Sequence, residues 1–268
     1  MDDKKTKQLA ARLGDLFSES QRGYITFSSF LDPAEVFWVK NHITHLGAKE
    51  LCFLFGGYKN AERKCAFFLP EYYSDLIEDT EDFDKVFPVL EGELSEAIKV
   101  LKIKGSGYRN LSHRDFLGAL LNMGIERNAI GDLCITDDNT CVLFASSAVA
   151  SLILGGCERI GSDKVKIEEL PLFCGFSFEK NTKQINGTIA SDRLDCVVGA
   201  LASESREKAK SLILSGFVEC NYSTSDRTDL RISEGDTITI RGTGKFIIDS
   251  ITEETRKGRI RLAARKYI

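Results

Sequence analysis

Apolar positions near the start of the chain follow a helical period. Leu9, Leu13 and Leu16 share one face and predict a helix over 4–18. Residues 21–31 are looser and rich in Phe. Asp32-Pro33 reads as a helix start, a capping carboxylate followed by proline at the first helical position, with the helix running to about His45. Leu51 to Phe55 and Cys65 to Leu69 are apolar strands. The segment between them, Gly56-Gly57-Tyr58-Lys59-Asn60-Ala61-Glu62-Arg63, turns the chain. Its Gly-Gly pair lacks the Gly-Lys-Ser/Thr continuation that a phosphate-binding loop needs, so a hairpin turn is the better reading. These elements predict an N-terminal α+β domain over 1–88.

In the middle, 96–104 contains an alternating apolar strand. Ser112 caps a helix to Met123 that Gly124 stops. Asp132 to Thr136 and Thr140 to Ala145 are strands joined by Asp137-Asp138-Asn139. Ser147 to Leu154 is a helix ended by Gly155-Gly156, and Lys164 to Leu170 is a last strand. The order β-α-β-β-α-β predicts a ferredoxin-like domain over 89–182. The RRM has the same topology and binds RNA through aromatics on its central strands. Here Thr140-Cys141-Val142-Leu143-Phe144 offers only Phe144, which suits a core equally well.

From 183 to 268 the pattern is two short helices backed by strands. A short apolar helix runs from Asp192-Arg193-Leu194-Asp195 to Ser203, and a second over Glu207 to Leu214. Ser205 is a candidate N-cap and Gly216 a left-handed C-terminal residue. Ala209, Leu212 and Ile213 share a packing face, while Arg206 and Lys210, four apart, share another. A basic helix face beside the open N–H groups of a helix start suits a phosphate backbone; a solvated surface helix is the plainer alternative. The strand Phe217 to Asn221, a polar loop, the turn Glu234-Gly235-Asp236 and the β run Thr237 to Gly242 follow.

Charge sharpens this division. The net charge of −4 argues against indiscriminate polyanion binding. From Asn186 to Ile268, 14 Lys and Arg face 12 Asp and Glu, against 22 and 28 in the remainder. Residues 255–268 carry Arg256, Lys257, Arg259, Arg261, Arg265 and Lys266 and no acid. A local basic strip on an acidic chain suits a selective contact. With 43% hydrophobic and 28% charged residues, 268 residues suffice for two or three globular domains. No apolar run approaches a membrane span, and Met1-Asp2-Asp3-Lys4-Lys5 lacks the apolar core of a signal peptide, so no membrane contact and a cytoplasmic location are expected. The eight cysteines, Cys174 among them, are scattered without a Cys-x-x-Cys and read as buried thiols. His42 and His45 could face one way, but no further ligand is near, and no metal or cofactor is expected.

The order Arg193-Leu194-Asp195, Ser205-Arg206, Gly216-Phe217-Val218-Glu219-Cys220-Asn221 and Glu234-Gly235-Asp236 resembles the S4 (αL-type) RNA-binding domain over about sixty residues. Cys220 departs from the Val usual there. That resemblance implies RNA contacts from Arg193, Ser203, Ser205, Arg206, Lys208, Lys210 and Asn221, extended by Arg241, Lys245 and the 256–266 strip. Lys59 and Arg63 near the first turn are weaker candidates, a solvated loop being the alternative. His113 and Arg114, at a helix start, suit either phosphate contact or a polar cap network.

Phe-Leu-Asp-Pro at 30–33, Phe-Gly-Gly-Tyr at 55–58, Ala-Glu-Arg at 61–63, His-Arg-Asp-Phe-Leu-Gly-Ala-Leu at 113–120, Gly-Ile-Glu-Arg at 124–127 and Ile-Gly-Asp at 130–132 widen the similarity. With the S4-like end, the whole chain resembles the YlmH-type S4-domain proteins of bacteria. The resemblance implies a cytoplasmic, monomeric factor that associates with RNA and the large ribosomal subunit. Some such proteins act in rescue of stalled ribosomes, where they are thought to hold tRNA and 23S rRNA while an untemplated tail is added to the nascent chain.

S4 domains also accompany enzymes. Pseudouridine synthases carry a catalytic Asp in Arg-Leu-Asp, but here Asp195 lies inside the S4-like helix with too little chain after it for a synthase domain, and it reads as structural. A methyltransferase needs a Gly-rich cofactor turn, and Lys104-Gly105-Ser106-Gly107-Tyr108 lacks the third Gly. His113-Arg114-Asp115 fails as a kinase catalytic loop, because position 120 is Leu and no Asp-Phe-Gly occurs. A non-enzymatic RNA-binding factor is expected, with an RNA-modifying enzyme of methyltransferase or pseudouridine synthase type as the alternative.

Overall fold

The computed structural model describes residues 3–76, 83–136, 139–172, 176–254 and 258–268. Mixed helices and antiparallel sheets form two compact units, Asp2–Phe178 and Glu179–Ile268. Of the expected features, Asp137 and Asp138 of the hairpin turn, Cys174, and Arg256 and Lys257 of the basic strip lie outside the described residues.

The first unit begins with α1 (Asp3–Ser20), β1 (Thr26–Phe27) and α2 (Pro33–His42). Asp32 caps α2 reciprocally with Glu35, as Asp-Pro predicts, but the α-helix ends at His42 and gives way to a 3₁₀ turn over Ile43–Leu46. Strands β2 (Cys52–Phe55) and β3 (Cys65–Phe68) join β1 in a three-stranded sheet ordered β1-β3-β2. Helix α3 (Phe83–Ala97) follows, and was not predicted: Pro88 lies inside it and Leu90 leaves helical geometry at φ −111°, breaking the period. The domain boundary expected at 88 falls within α3.

Then come β4 (Ile98–Gly105), α4 (His113–Asn122), β5 (Ile130–Thr136), β6 (Thr140–Ser146), α5 (Ser147–Gly156), β7 (Arg159–Ile160) and β8 (Asp163–Leu170). Their antiparallel sheet is ordered β5-β6-β4-β8-β7. Side chains alternate across each strand; in β6 both sets are buried as far as Ala145, and in β4 the apolar members of both sets are buried while Lys99, Lys102 and Lys104 are not. Leu101, Ile103, Cys141 and Leu143 pack with Phe116 and Leu120 of α4 and Ile153 of α5. Val100, Val142 and Phe144 pack on the other side with Phe53, Phe55, Phe67, Phe87, Leu90 and Leu94. One apolar cluster therefore runs across the two segments expected as separate domains, and it takes Phe144 into the core.

The motif words of the N-terminal unit meet at one junction. The buried Asp132 carboxylate accepts from Tyr58 Oη at 2.8 Å, the Glu62 N–H at 2.7 Å and the Arg63 N–H at 3.2 Å. The Arg63 guanidinium donates to the carbonyls of Ile130 (2.9 Å), Phe30 (3.2 Å) and Arg127 (3.1 Å). It is a staple between loops, which corrects its reading as a solvated or RNA-touching side chain. Gly57, at φ +102°, lies so close that a Cβ there would stand 2.1 Å from Phe144 Cδ1. The Gly-Gly pair is thus a close-packed turn. Burial pushes the Arg127 guanidinium down to about 10, with Arg63 nearby adding to the shift.

The second unit runs β9 (Thr182–Ile189), α6 (Leu194–Ala202), α7 (Arg206–Leu214), β10 (Val218–Cys220), β11 (Ser223–Thr224), β12 (Thr237–Ile240), β13 (Gly244–Glu254) and β14 (Ile260–Tyr267). Its antiparallel sheet is ordered β11-β10-β12-β13-β14-β9. Val218, Ile238, Ile240, Phe246, Ile248, Leu262 and Ala264 pack with Leu194, Val197, Val198, Leu201, Ala209 and Ile213 of the two helices. The alternate positions, among them Thr239, Lys245 and Tyr267, lie on the face opposite α6 and α7.

The seven cysteines among the described residues form no disulfide. Burial pushes the Cys52, Cys65 and Cys141 thiols up, and Cys220 to about 12. Among the described residues no helix is long and apolar enough to cross a membrane, and no three His, Cys, Asp or Glu side chains converge as a metal site.

Candidate nucleic-acid interface

The start of the helical pair in the second unit is organised by a buried carboxylate. Asp195, 0% exposed, accepts from Arg206 Nε at 3.0 Å and from Arg193 Nε and Nη2 at 3.3 and 3.4 Å. Burial opposes its ionisation, but the hydrogen bonds from Arg206 and Arg193 outweigh it and hold the carboxyl below its usual range. The same bond to Asp195 raises Arg206. Both guanidinium groups remain partly open to solvent, at 33% for Arg193 and 52% for Arg206. A buried anion thus fixes two cations at the surface, reducing the side-chain entropy lost when they grip a partner.

Asp195 and Arg206 border a cavity of about 300 Å³ whose lining also includes Cys196, Gly199, Glu204 and Arg259. Gly199 lets the helices approach: a Cβ there would lie 3.2 Å from the Glu204 carbonyl oxygen. The first N–H groups of α6 are already bound, Leu194 to the Leu230 carbonyl at 2.8 Å and Asp195 to that of Thr228 at 3.1 Å. The polar loop before β12 therefore closes this helix start. At α7, Ser205 Oγ accepts the Lys208 N–H at 3.2 Å, as a cap should, and Ser203 sits exposed at φ 56°.

The remaining expected contacts separate. Lys208 is exposed and Lys210 half-buried on α7. Asn221 belongs to the turn network: its Nδ2 donates to Asp236 at 2.8 Å and its Oδ1 accepts the Thr237 N–H at 2.9 Å. Arg241 lies over the Phe217 ring, 5.5 Å from its centroid, beyond the C-terminal end of α7. Lys245 lies on the open sheet face. The basic strip is split by the two-residue period of β14. Arg261 and Arg265 are exposed, Arg265 pairing with Asp249 at 2.7 Å, while Lys266 falls on the other face with its Nζ 5.8 Å from the Phe246 ring.

In the first unit His113 and Arg114 are exposed on the first turn of α4, where the cap network is well formed. Asp115 accepts from Ser112 Oγ at 2.6 Å and the Ser112 N–H at 2.8 Å, and Arg109 joins it. The Ser112 bonds hold Asp115 low. The sequence reading missed one feature here. Lys104 and Lys166 are exposed directly opposite each other on β4 and β8, next to the Lys102–Glu168 pair at 3.1 Å. Like charges facing across strands repel, and an anion between them relieves it. The signal was the period-two lysines in Lys102-Ile103-Lys104 and Lys164-Val165-Lys166.

Residues 96–173, which span β4 to β8, match the family described as "Putative RNA-binding domain in YlmH". Over 236 residues the chain is 26% identical to "Ribosome-associated protein quality control protein P2" of Bacillus subtilis (strain 168), covering 88% of this chain and 84% of that protein. The resemblance to YlmH-type proteins holds. Among solved structures, "Cell division protein ylmH from Streptococcus pneumoniae" is similar at 22% identity, covering 63% of this chain and 88% of that one with a TM-score of 0.42, too low to carry structural detail. The YlmH-type match places the lysine pair of β4 and β8 inside a region of RNA-binding resemblance, and the identity with the Bacillus protein extends well beyond it.

Proposed function

We propose that this chain is a non-enzymatic, ribosome-associated RNA-binding factor that acts in quality control of stalled nascent chains. It contacts structured RNA, 23S rRNA and/or tRNA, on the large ribosomal subunit, as a cytoplasmic monomer. Residues 183–268 serve as an S4 domain and 89–182 as a ferredoxin-like unit; the strand order of β4, β5, β6 and β8 and the α6–α7 pair support these assignments. The observation that carries the reading is the pair of arginines, Arg193 and Arg206, fixed by one buried aspartate, with Arg206 lining a cavity together with Arg259. Fixed guanidinium groups suit phosphate, which they bind in a fork, and such contacts position a protein on RNA irrespective of sequence. The RNA-binding family match and the quality-control relative add independent support. Asp195, buried and doubly bonded, has the surroundings of a structural carboxylate, which favours a binding role over pseudouridine synthase chemistry.

Sucrose-gradient sedimentation of the full chain with ribosomal subunits tests this. Wild type is expected to travel with the large subunit and Arg206→Ala with Lys210→Ala to stay near the top. Unchanged co-migration of a folded double variant overturns the assignment of α7.

A further inference from the structure

The sheet face opposite α6 and α7 carries a row of alternating rings and ammonium groups. Lys245 Nζ lies 5.1 Å from the centroid of the Tyr222 ring and 5.0 Å from that of Tyr267, and Lys180 Nζ lies 5.6 Å from Tyr267. Tyr222 stands where a side chain is disfavoured. Cys220 pairs with Ser223, so Asn221 and Tyr222 are the whole of a two-residue hairpin connection, at φ 49° and 63°. Such a turn demands positive φ at both positions, and glycine is the residue of choice at the second. Asn221 already supplies the turn's side-chain bonds. The ring of Tyr222 adds nothing the turn needs, and a non-glycine residue held against its backbone preference points to a use for its side chain.

We propose that Tyr222, Tyr267, Lys245 and Lys180 form a stacking site for unpaired RNA nucleobases, on a face separate from the α6–α7 cavity. The proposal rests on the RNA-binding reading above. Every base has a π-face that stacks on tyrosine whatever its identity. Two ammonium groups within reach of the rings serve the flanking phosphates. Tyr222, Lys245 and Tyr267 are half-buried and Lys180 is exposed. Cation–ring contacts that solvent reaches are weak, so a lysine can leave a ring for a phosphate as a base arrives. A row of ring and cation complements a strand of base and phosphate; an acidic peptide would match the lysines and leave the rings without planar partners.

The test compares binding of the full chain to an RNA stem–loop, with 2-aminopurine in the unpaired loop, and to the fully paired duplex of the same stem. Wild type is expected to prefer the stem–loop and to quench its fluorescence. Tyr222→Gly suits the turn, so its thermal midpoint should rise, while stem–loop affinity falls about tenfold and duplex affinity stays unchanged. A variant that folds better and binds worse separates a stacking role from a structural one. Tyr267→Leu should repeat the loss of quenching. If both variants bind and quench the stem–loop like wild type, while Arg206→Ala with Lys210→Ala weakens both RNAs, the stacking site is overturned alone. If wild type binds neither RNA, the RNA-binding reading falls with it.

Discussion

The five-stranded sheet of the N-terminal unit and the six-stranded sheet of the C-terminal unit use the same alternation to different ends. In the first, helices cover one face, and Phe53, Phe55, Phe67 and the α3 side chains cover much of the other. An RRM presents that second face to RNA; here Phe144 is core. What stays exposed is the far end of β4 and β8, with its lysines. In the C-terminal unit the helices pack on one face, and among the described residues the opposite face carries half-buried rings and cations, Tyr222, Tyr267 and Lys245, that solvent still reaches. The difference teaches that strand order alone does not locate a binding surface. The cover supplied by neighbouring segments does.

The largest effect should come from breaking the covered sheet. Phe144→Ala opens a cavity between the Phe-rich segment and β6 and should destabilise the N-terminal unit by ~3–5 kcal/mol in urea unfolding. A loss under about 1 kcal/mol would mean that this face is not a true core. Next, Asp195→Ala removes the acceptor of two guanidinium groups and should cost about 1–3 kcal/mol in the C-terminal unit. Because Asp195 is held below its ordinary 3.8, its contribution is fully present above that value and fades as pH falls through the depressed one. Stability curves should therefore separate wild type from Asp195→Asn above about pH 4 and converge as pH falls below it.

Binding is the next discriminator. Arg206→Ala with Lys210→Ala should weaken RNA affinity by ~1–3 kcal/mol and flatten the salt slope by roughly two units, about one for each lost phosphate contact. An unchanged slope in filter binding, with circular dichroism intact, would remove α7 from the interface. The smallest effect probes the exposed end of the covered sheet. Lys104→Glu places opposite charges across β4 and β8 and should stabilise the unit by a few tenths of a kcal/mol while weakening RNA binding. Stabilisation with unaltered binding would leave the helical pair as the binding surface and take the lysine pair out of it.

Much of this fold was legible because it is local. Asp32-Pro33, Ser112 and Ser205 mark helix starts through caps that satisfy N–H groups within three residues, and those helices begin where expected. Helix α3 was hidden by its proline, and β9 by the polar run Thr182-Lys-Gln-Ile-Asn-Gly-Thr-Ile, whose pairing with β14 lies some eighty residues on. At the candidate site, Arg193 and Arg206 meet on Asp195, a contact between two helix starts, whereas Asn221 turns into its hairpin and the basic strip divides between two faces.

By itself the sequence determined the caps, the periods and the ordered motif words, since each depends on neighbours a few residues apart. Only the tertiary structure decided that Arg63 is a staple, that Gly57 must lack a side chain, that Asp195 anchors two arginines, and which sheet face remains open. Those outcomes depend on contacts between segments distant in the chain, where burial and close packing assign each polar group its partner.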